Sequence, residues 1–392
     1  QRLRRVLVVA EVALALVLVV CSGLLLRSFA RILDVNPGFD AQNLLTMQLS
    51  LPRYKYGNEK QLVQFSEDVL RRVSALPGVT HAALAFEPPL VSGDSSVFAI
   101  RGYVPGPGKP EPHADYLDVS ADYLATMRIP LLRGRWFTSE DYEAMQKSSN
   151  LGQAVVIDQA FAERFWPGAD PIGGGIGNSD KGPFATIVGV VATVHGSDLA
   201  EESKGTIYIP DYSSGTSLML RTAGAPSALV NSVREQVAAV DPEQPIYDVQ
   251  TMEERISQSL ARRRFAMVLL AAFAALAFLL ALIGLEGVIA YIVTQRTHEI
   301  GIRMALGAQR RDVMSDVLGQ GIKLAGAGVA IGLIGTALCS RLMASQLFGI
   351  PALDWVTYLA ASATLIAAAS LACYLPALRA TRVDPMIALR YE

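Results

Sequence analysis

Apolar residues are concentrated in four stretches of this chain, each long enough to cross a lipid bilayer as a helix. They predict transmembrane helices at about 1–28, 265–293, 322–343 and 356–378. A helix rises ~1.5 Å per residue, so about 20 apolar residues cross ~30 Å of hydrocarbon. The long segment 29–262 mixes polar and apolar residues as a globular domain does. The pattern therefore predicts an α-helical membrane bundle in a 1+3 arrangement, with one large domain on one side of the membrane.

The first apolar stretch also has features of a secretory signal peptide, because three arginines precede it. Its run is longer than a typical signal core, and no small-x-small cleavage site follows. Val20 stands before Cys21, where a lipoprotein signal would carry a small residue. We therefore predict a retained transmembrane helix. The chain begins with Gln1 rather than Met, which predicts that it is part of a longer protein.

The distribution of arginine predicts the orientation, because short cytoplasmic flanks are enriched in Lys and Arg. Four spans place both termini on one side, together with the connection between the second and third spans. The arginines on that side are Arg2, Arg4, Arg5, Arg296, Arg303, Arg310, Arg311, Arg379, Arg382 and Arg390. They outnumber those on the other side, although the run Arg262–Arg264 counts against this orientation. We expect a bacterial inner (plasma) membrane protein with cytoplasmic termini and an extracytoplasmic domain.

The segment 29–262 is predicted to be an α/β domain whose two ends form one part and whose middle is an insertion. Alternating apolar and polar residues predict strands at Leu44–Leu51 and Val79–Phe86, with an amphipathic helix at Glu59–Leu76 between them. The same order of strand, helix and strand returns over 217–249. The expected parts are a split α/β part, 40–90 and 213–255, and an inserted β-rich part, 91–212.

The inserted part offers strand candidates but little chemistry. Its predicted strands are Val97–Tyr103, Tyr116–Ser120, Ala154–Ile157, Ala185–Val194 and Thr206–Ile209. The run Gly173–Gly177 suggests a phosphate loop, but it neither follows a predicted strand nor opens a helix, and no Lys-Ser or Lys-Thr comes after it. We interpret this run as a flexible turn.

Composition and motifs exclude several classes of function. The net charge of −2 argues against nucleic acid as a partner. The four histidines lack the spacing of metal ligands. The phosphate-binding motif G-x-x-x-x-G-K-[ST] does not occur in the sequence. We expect no catalytic residues, no metal and no bound cofactor in this chain, and therefore not an enzyme.

The sharpest local signal lies between the second and third spans, at Thr297–Val313. Apolar residues Ile300, Met304 and Leu306 give this segment an apolar face, and Glu299 and Arg303 supply charge. Gly301 and Gly307 allow close approach and a break in the helix. An interfacial helix resting on lipid headgroups would show the same pattern. The alternative is a docking helix for a cytoplasmic partner.

The residues Glu-Ile-Gly-Ile-Arg-Met-Ala-Leu-Gly-Ala at 299–308 resemble the signature of FtsX/MacB-type ABC transporter permeases. Other stretches agree, notably 119–135, 157–173, 187–191 and 375–390, so the similarity covers essentially the whole chain. Residues 2–39 are similar to the middle of the double-length acidobacterial (ADOP) type. That similarity implies the second half of a tandem permease.

This resemblance implies a function in which ATP is bound by a partner subunit. A separate cytoplasmic ABC ATPase would bind at the coupling loop 294–321, where Glu299, Gly301, Arg303 and Gly307 match the motif. The chain would pair with a second permease half or form a homodimer, and nucleotide-driven motion would reach the extracytoplasmic domain. Family members export peptides or antibiotics, extract lipoproteins, or regulate cell-wall enzymes. Glu286 departs from the family pattern, and we expect its carboxylate, like that of Glu11, to snorkel toward the membrane interface.

Small residues in the third span predict close helix packing. Gly328 and Gly332 form a G-x-x-x-G pair, and Gly335 extends the same face. The contact could lie within the bundle or across a dimer. Two other functions remain open. A membrane-tethered sensor or scaffold would lack the ATPase at 294–313, and a secondary transporter would show more spans and charges at the membrane midplane.

Overall fold

The structure is a computed structural model. It describes residues 2–52, 54–91, 95–103, 112–147, 152–196, 199, 203–213, 215–306, 309–344, 347–351 and 353–381. The chain divides into two compact units. The described residues within 1–34 and 261–392 form a helical bundle, and those within 35–260 form an α/β domain. Helices and strands are numbered in chain order.

Within its described residues, the helical bundle contains four long helices and one short one. Their bounds are α1 Arg2–Leu33, α8 Ala261–Gln295, α9 Thr297–Ala305, α10 Arg310–Leu342 and α11 Trp355–Ala380. In the described part of the chain, the four long helices are the ones long and apolar enough to cross a membrane. Their shared core includes Leu16, Val20, Leu285, Leu365 and Cys373. The predicted 1+3 arrangement is confirmed.

The helix α10 begins earlier than the apolar pattern indicated. The segment 294–321 is not a loop, because α8 runs to Gln295, α9 follows, and α10 starts at Arg310. A capping box stabilises this start, in which the backbone N–H of Gln309 donates to the Asp312 carboxylate over 3.0 Å. The third span is thus the apolar second part of α10, and the first part of this helix is polar.

The α/β domain contains a mixed sheet flanked by helices. Its helices are α2 Glu59–Ser74, α3 Tyr123–Met127, α4 Ser139–Gln146, α5 Gln159–Phe165, α6 Val230–Val240 and α7 Met252–Ser259. Its strands are β1 Leu44–Leu49, β2 Val79–Ala85, β3 Ser95–Val97, β4 Ala99–Ile100, β5 His113–Val119, β6 Leu131–Gly134, β7 Ala154–Asp158, β8 Gly175–Gly177, β9 Ala185–Val191, β10 Thr206–Pro210, β11 Ser217–Thr222 and β12 Ile246–Thr251. The main strand order is β12-β1-β11-β2-β5-β10-β7-β9-β8-β4.

The two ends of the domain interleave in one antiparallel four-stranded region, β12-β1-β11-β2. This is the order of a split β-α-β unit repeated twice, with the insertion between β2 and β11. Apolar faces of α2 and α6 cover it, through Val69 and Val73 on α2 and Val233 and Val237 on α6. Asn58 caps α2, because its side chain accepts from the Lys60 N–H over 3.1 Å. The predicted α/β fold class is confirmed.

A buried arginine ties the domain's first segment to this region. Arg221 on β11 is 2% exposed. Its three nitrogens donate to the backbone oxygens of Thr126, Gln42 and Asp40 over 2.6, 2.7 and 2.6 Å. A buried guanidinium is tolerated here because all of its nitrogens have acceptors.

Two predictions for the inserted part are corrected by the structure. The predicted strand Val97–Tyr103 is two short strands, since β3 pairs with β5 and β4 pairs with β8. The run Gly173–Gly177 is a turn only at its start. Gly175–Gly177 forms strand β8, because β9 and β4 supply its backbone hydrogen-bond partners. The cluster of Val155, Ile157, Phe161, Ile187 and Ile207 forms the core of this part.

Candidate functional site

The candidate site is the short helix α9 and its junctions with α8 and α10. The backbone N–H of Arg296 is shared between the carbonyls of Ile292 and Val293, both at 3.1 Å. The Thr297 hydroxyl donates to the Val293 carbonyl over 3.1 Å. These bonds close the end of α8 and start α9 within one residue. The two helices are therefore directly connected, so that a displacement of α9 would act on α8.

Charged residues join α9 to its neighbours. Glu299 lies in its first turn and Arg303 in its last, each with the sign that the helix dipole favours. The two side chains pair over 2.7 Å. Arg303 also contacts Asp316 of α10 at 3.4 Å, so one guanidinium bridges two helices. Each of these side chains is about half exposed, so a single pair contributes no more than about 1 kcal/mol.

A cavity of about 290 Å³ lies between α8, α9 and α10. Its lining combines apolar and polar side chains. The apolar residues are Ile289, Ile292, Val293, Ile300, Val313 and Val317, and the polar ones are Arg296, Glu299, Arg303, Asp312, Asp316 and Gln320. This combination suits an apolar side chain flanked by polar groups.

The predicted apolar face of α9 is correct for two residues and wrong for the third. Ile300 and Met304 pack into the bundle core, and Gly301 is buried beside them. Leu306 instead points away from the bundle and is 84% exposed. Ile302, four residues before Leu306, is also exposed, so these two residues form an outward apolar face. Gly307 lies outside the described residues.

Sequence patterns did not indicate Ile302, Arg296 and Asp316 as parts of this site. Ile302 does not fall on the same helix face as the buried residues of α9. This difference in position around the helix is the sequence signal from which an outward face could have been predicted. Asp316 lies 13 residues after Arg303 in the chain. Only the packing of α9 against α10 brings these two charges together.

The packing glycines of α10 lie against α1. A Cβ atom added at Gly328 would lie 2.6 Å from the Cβ of Val12, and one at Gly332 would lie 2.9 Å from the carbonyl of Ala13. At Gly335 the corresponding distance to Val17 is 3.3 Å. The backbones of the two helices therefore approach more closely than side chains would permit.

Two carboxylates lie within the apolar helices. The Glu11 carboxylate occupies the space that a side chain at Gly284 of α8 would fill, so it lies against a helix backbone. Glu286, two residues further along α8, is half-buried. Nearer the start of α1, the Arg4 guanidinium stacks on the Tyr291 ring of α8 at 4.3 Å.

Asp158 is a strongly perturbed carboxyl group of the α/β domain. Burial raises its pKa to about 7, while hydrogen bonds from backbone N–H groups and from Ser203 partly oppose that rise. Its carboxylate accepts from the Phe161 N–H over 2.8 Å and caps α5. This role is structural. Within the described ranges, side chains that ligate metals are not gathered in groups of three or more.

The four long apolar helices are those of a multi-pass membrane protein, and the chain also forms a separate α/β domain. Comparison with known families agrees. Residues 8–245 match the MacB-like periplasmic core domain, and residues 271–385 match the FtsX-like permease C-terminal region. The chain belongs to the family of MacB/FtsX-type ABC transporter permeases, and the resemblance carried by residues 299–308 is confirmed.

Curated relatives are ATP-binding/permease proteins. The chain is 28% identical to the pyoverdine export ATP-binding/permease protein PvdT of Pseudomonas putida, over 67% of this chain and 41% of that protein. It is 26% identical to the macrolide export ATP-binding/permease protein MacB of Azoarcus sp., over 89% of this chain and 51% of that protein. For MacB of Escherichia coli the identity is 27%, over 70% and 43%. The chain thus spans about half the length of these relatives or less.

Similar solved structures are extracytoplasmic domains. The periplasmic region of MacB from Actinobacillus actinomycetemcomitans aligns with a TM-score of 0.37 and 15% identity, over 59% of this chain and 98% of that structure. The extracellular domain of the noncanonic ABC-type transporter YknZ from Gram-positive bacteria aligns with a TM-score of 0.34 and 14% identity, over 53% and 100%.

Proposed function

We propose that this chain is a permease subunit that couples ATP hydrolysis by a separate cytoplasmic ATPase to movement of its extracytoplasmic domain. In this proposal the termini, α9 and the start of α10 are cytoplasmic. The observation that carries it is the outward apolar face of α9. Ile302 on α9 and Leu306 directly after it are exposed, and an ion pair joins this nine-residue helix to α10. Exposed apolar residues beside charged ones are typical of a docking surface.

Rigid attachment of α9 supports a coupling role for this surface. A force applied at Leu306 would act on α8 through the tight turn at Arg296 and on α10 through Arg303 and Asp316. Ile300 and Met304 anchor the opposite face in the bundle core. Because packed interiors deform little, displacement of α9 would move both long helices together.

The proposed cargo follows the relatives, whose names include pyoverdine and macrolide export. We infer efflux or extraction of a peptide, an antibiotic or a lipoprotein-like substrate. The exposed apolar side of α8 supports contact with lipid, a second permease half or a second copy of this chain. Its large exposed residues include Phe265, Val268, Leu269, Phe273 and Leu276.

Co-purification of an ATPase tests the docking proposal. The full-length parent protein would be isolated in mild detergent, and P-loop ATPases that co-purify would be quantified by mass spectrometry. Leu306→Asp should abolish the association, because it places a charge at the centre of the apolar face. Leu342→Asp is the matched control, since Leu342 is 83% exposed at the opposite end of α10.

Charge reversal gives a second, independent test of the same surface. Glu299→Arg breaks the pair with Arg303 and should weaken ATPase association. The double variant Glu299→Arg, Arg303→Glu restores opposite charges four residues apart and should regain part of it. An ATPase that is absent from a folded, monodisperse wild-type sample would instead favour a membrane-tethered sensor or scaffold without an energy source.

A further inference from the structure

The end of α1 that leads into the α/β domain is fastened to the segment joining α10 and α11. The Arg27 guanidinium forms an ion pair with the Asp354 carboxylate and lies 3.3 Å from the Thr357 hydroxyl. The Ser28 hydroxyl, one residue later, accepts from the Phe348 N–H over 2.8 Å. Two adjacent residues of α1 therefore hold both halves of this segment.

Asp354 is held from three directions at once. Besides Arg27, it receives the Thr357 N–H over 3.2 Å and the Thr357 hydroxyl over 2.5 Å, and so caps α11. Asp354 and Thr357 are buried. Burial alone would raise the pKa of Asp354, but the hydrogen bonds from Thr357 and the charge of Arg27 hold this pKa below its ordinary value. Thr357 thus holds the Asp354 carboxylate in place for its contact with Arg27.

The remaining contacts between α1 and the later helices are largely apolar. Val12, Ala13 and Leu16 pack against the glycines of α10. The close contact at these glycines supports the register of α1 against α10. The Arg27–Asp354 pair adds a directional contact between α1 and the start of α11. The chain continues from α1 into the domain at Val35, eight residues after Arg27.

We propose that Arg27 and Asp354 are positioning residues that transmit axial displacement of α10 and α11 to α1 and hence to the extracytoplasmic domain. This inference rests on the proposed function, because it requires motion driven from α9. It adds the contact through which motion passes from α10 and α11 to α1, at the end of α1 that leads into the domain. Without this ion pair, α10 and α11 would move while α1 lags.

The test measures domain movement and ATP hydrolysis in the same sample. The full-length parent, with its co-purified ATPase, would be placed in lipid nanodiscs that contain an acceptor-labelled lipid. A donor dye would be attached through Arg234→Cys, an exposed position on α6, in a Cys339→Ser background. The other two cysteines, Cys21 and Cys373, are buried. Energy transfer is then compared between the nucleotide-free protein and the protein trapped with ATP and vanadate.

Loss of the Arg27 charge should uncouple the two readouts. In Arg27→Glu and in Arg27→Gln we expect ATPase association and ATP hydrolysis to persist, while the nucleotide-dependent change in energy transfer drops about two-fold or more. Both variants leave Asp354 in place as the cap of α11. Arg27→Lys keeps a cation beside Asp354 and should retain much of the change, which separates the charge from a general packing defect. Asp34→Arg reverses an exposed charge just after α1, and this matched control should move the domain as the wild type does.

Each result decides between the alternatives. If wild type moves its domain and Arg27→Glu and Arg27→Gln move it equally, the role of the Arg27–Asp354 pair is wrong and the proposed function stands. If Arg27→Lys loses as much of the change as Arg27→Gln, the charge at this position is not the transmitting element. If wild type retains an ATPase but nucleotide causes no domain movement, domain coupling and the role of this ion pair both fail.

Discussion

Substitution of Gly328 by Ala should weaken the bundle, although Ala favours helices. The added Cβ would lie 2.6 Å from both Cβ and Cγ1 of Val12 and 3.0 Å from the carbonyl of Val9. Helix propensity alone favours Ala over Gly by about 0.8–1.0 kcal/mol. Overpacking of a tight contact costs about 1–3 kcal/mol, since the obstructing atoms belong to a branched side chain and a backbone. We expect a net loss of roughly 0–2 kcal/mol.

The matched control lies two residues earlier on the same helix. An added Cβ at Gly326 meets nothing within 4 Å, so Gly326→Ala should gain the propensity term without the clash. The assay measures the thermal stability of the full chain in detergent, and its readout is the loss of monodisperse protein after heating. Gly326→Ala should match or exceed wild type, and Gly328→Ala should lie below both. Equal stabilisation by the two variants would refute the close approach of α1 and α10.

Three further predictions concern the α/β domain. Arg221→Met removes the donors to the carbonyls of Thr126, Gln42 and Asp40, of which the first is buried, and should cost about 1–3 kcal/mol, seen as faster hydrogen exchange in β1 and β11; unchanged exchange would contradict this role. Burial raises the folded pKa of Asp158 to about 7, so this group's contribution to stability is present at pH 4 and is lost as pH rises toward 7. Asp158→Asn should therefore reduce the decrease in melting temperature between pH 4 and pH 7. An unchanged dependence of melting temperature on pH would show that burial does not perturb this carboxyl. At Asp241, burial alone would raise the pKa, but hydrogen bonds from Lys55 and Tyr56 hold it below the ordinary value. Its stabilisation is thus lost as pH falls through the folded pKa, and Asp241→Asn should reduce acid sensitivity; equal acid sensitivity in wild type and variant would argue against this pair.

The number of spans and the split α/β part could be predicted from the sequence for local reasons. A long run of apolar residues indicates by itself a helix that is buried in the membrane and not exposed to water. The amphipathic helix at 59–76 and its flanking strands show periods of 3.6 and 2, which depend only on which face is buried. Both kinds of signal are contained in one element and need no knowledge of its neighbours.

Elements whose hydrogen bonds come from distant chain segments could not be predicted in this way. Gly175–Gly177 forms a strand because β9 and β4 flank it, whereas a glycine run by itself favours a turn. The outward position of Leu306 follows from how α9 sits on the bundle, and its sequence spacing suggested the buried face instead.

The sequence by itself determined which segments enter the membrane, because transfer of a helix into hydrocarbon depends on that helix's own side chains. It also determined the family, through a contiguous motif at 299–308. Only the tertiary structure decided which charges meet. Arg303 pairs with Asp316, and Arg27 pairs with Asp354, 327 positions away. Coulomb attraction acts over a few ångströms in space and is indifferent to chain separation, so these pairs exist only once the helices have packed.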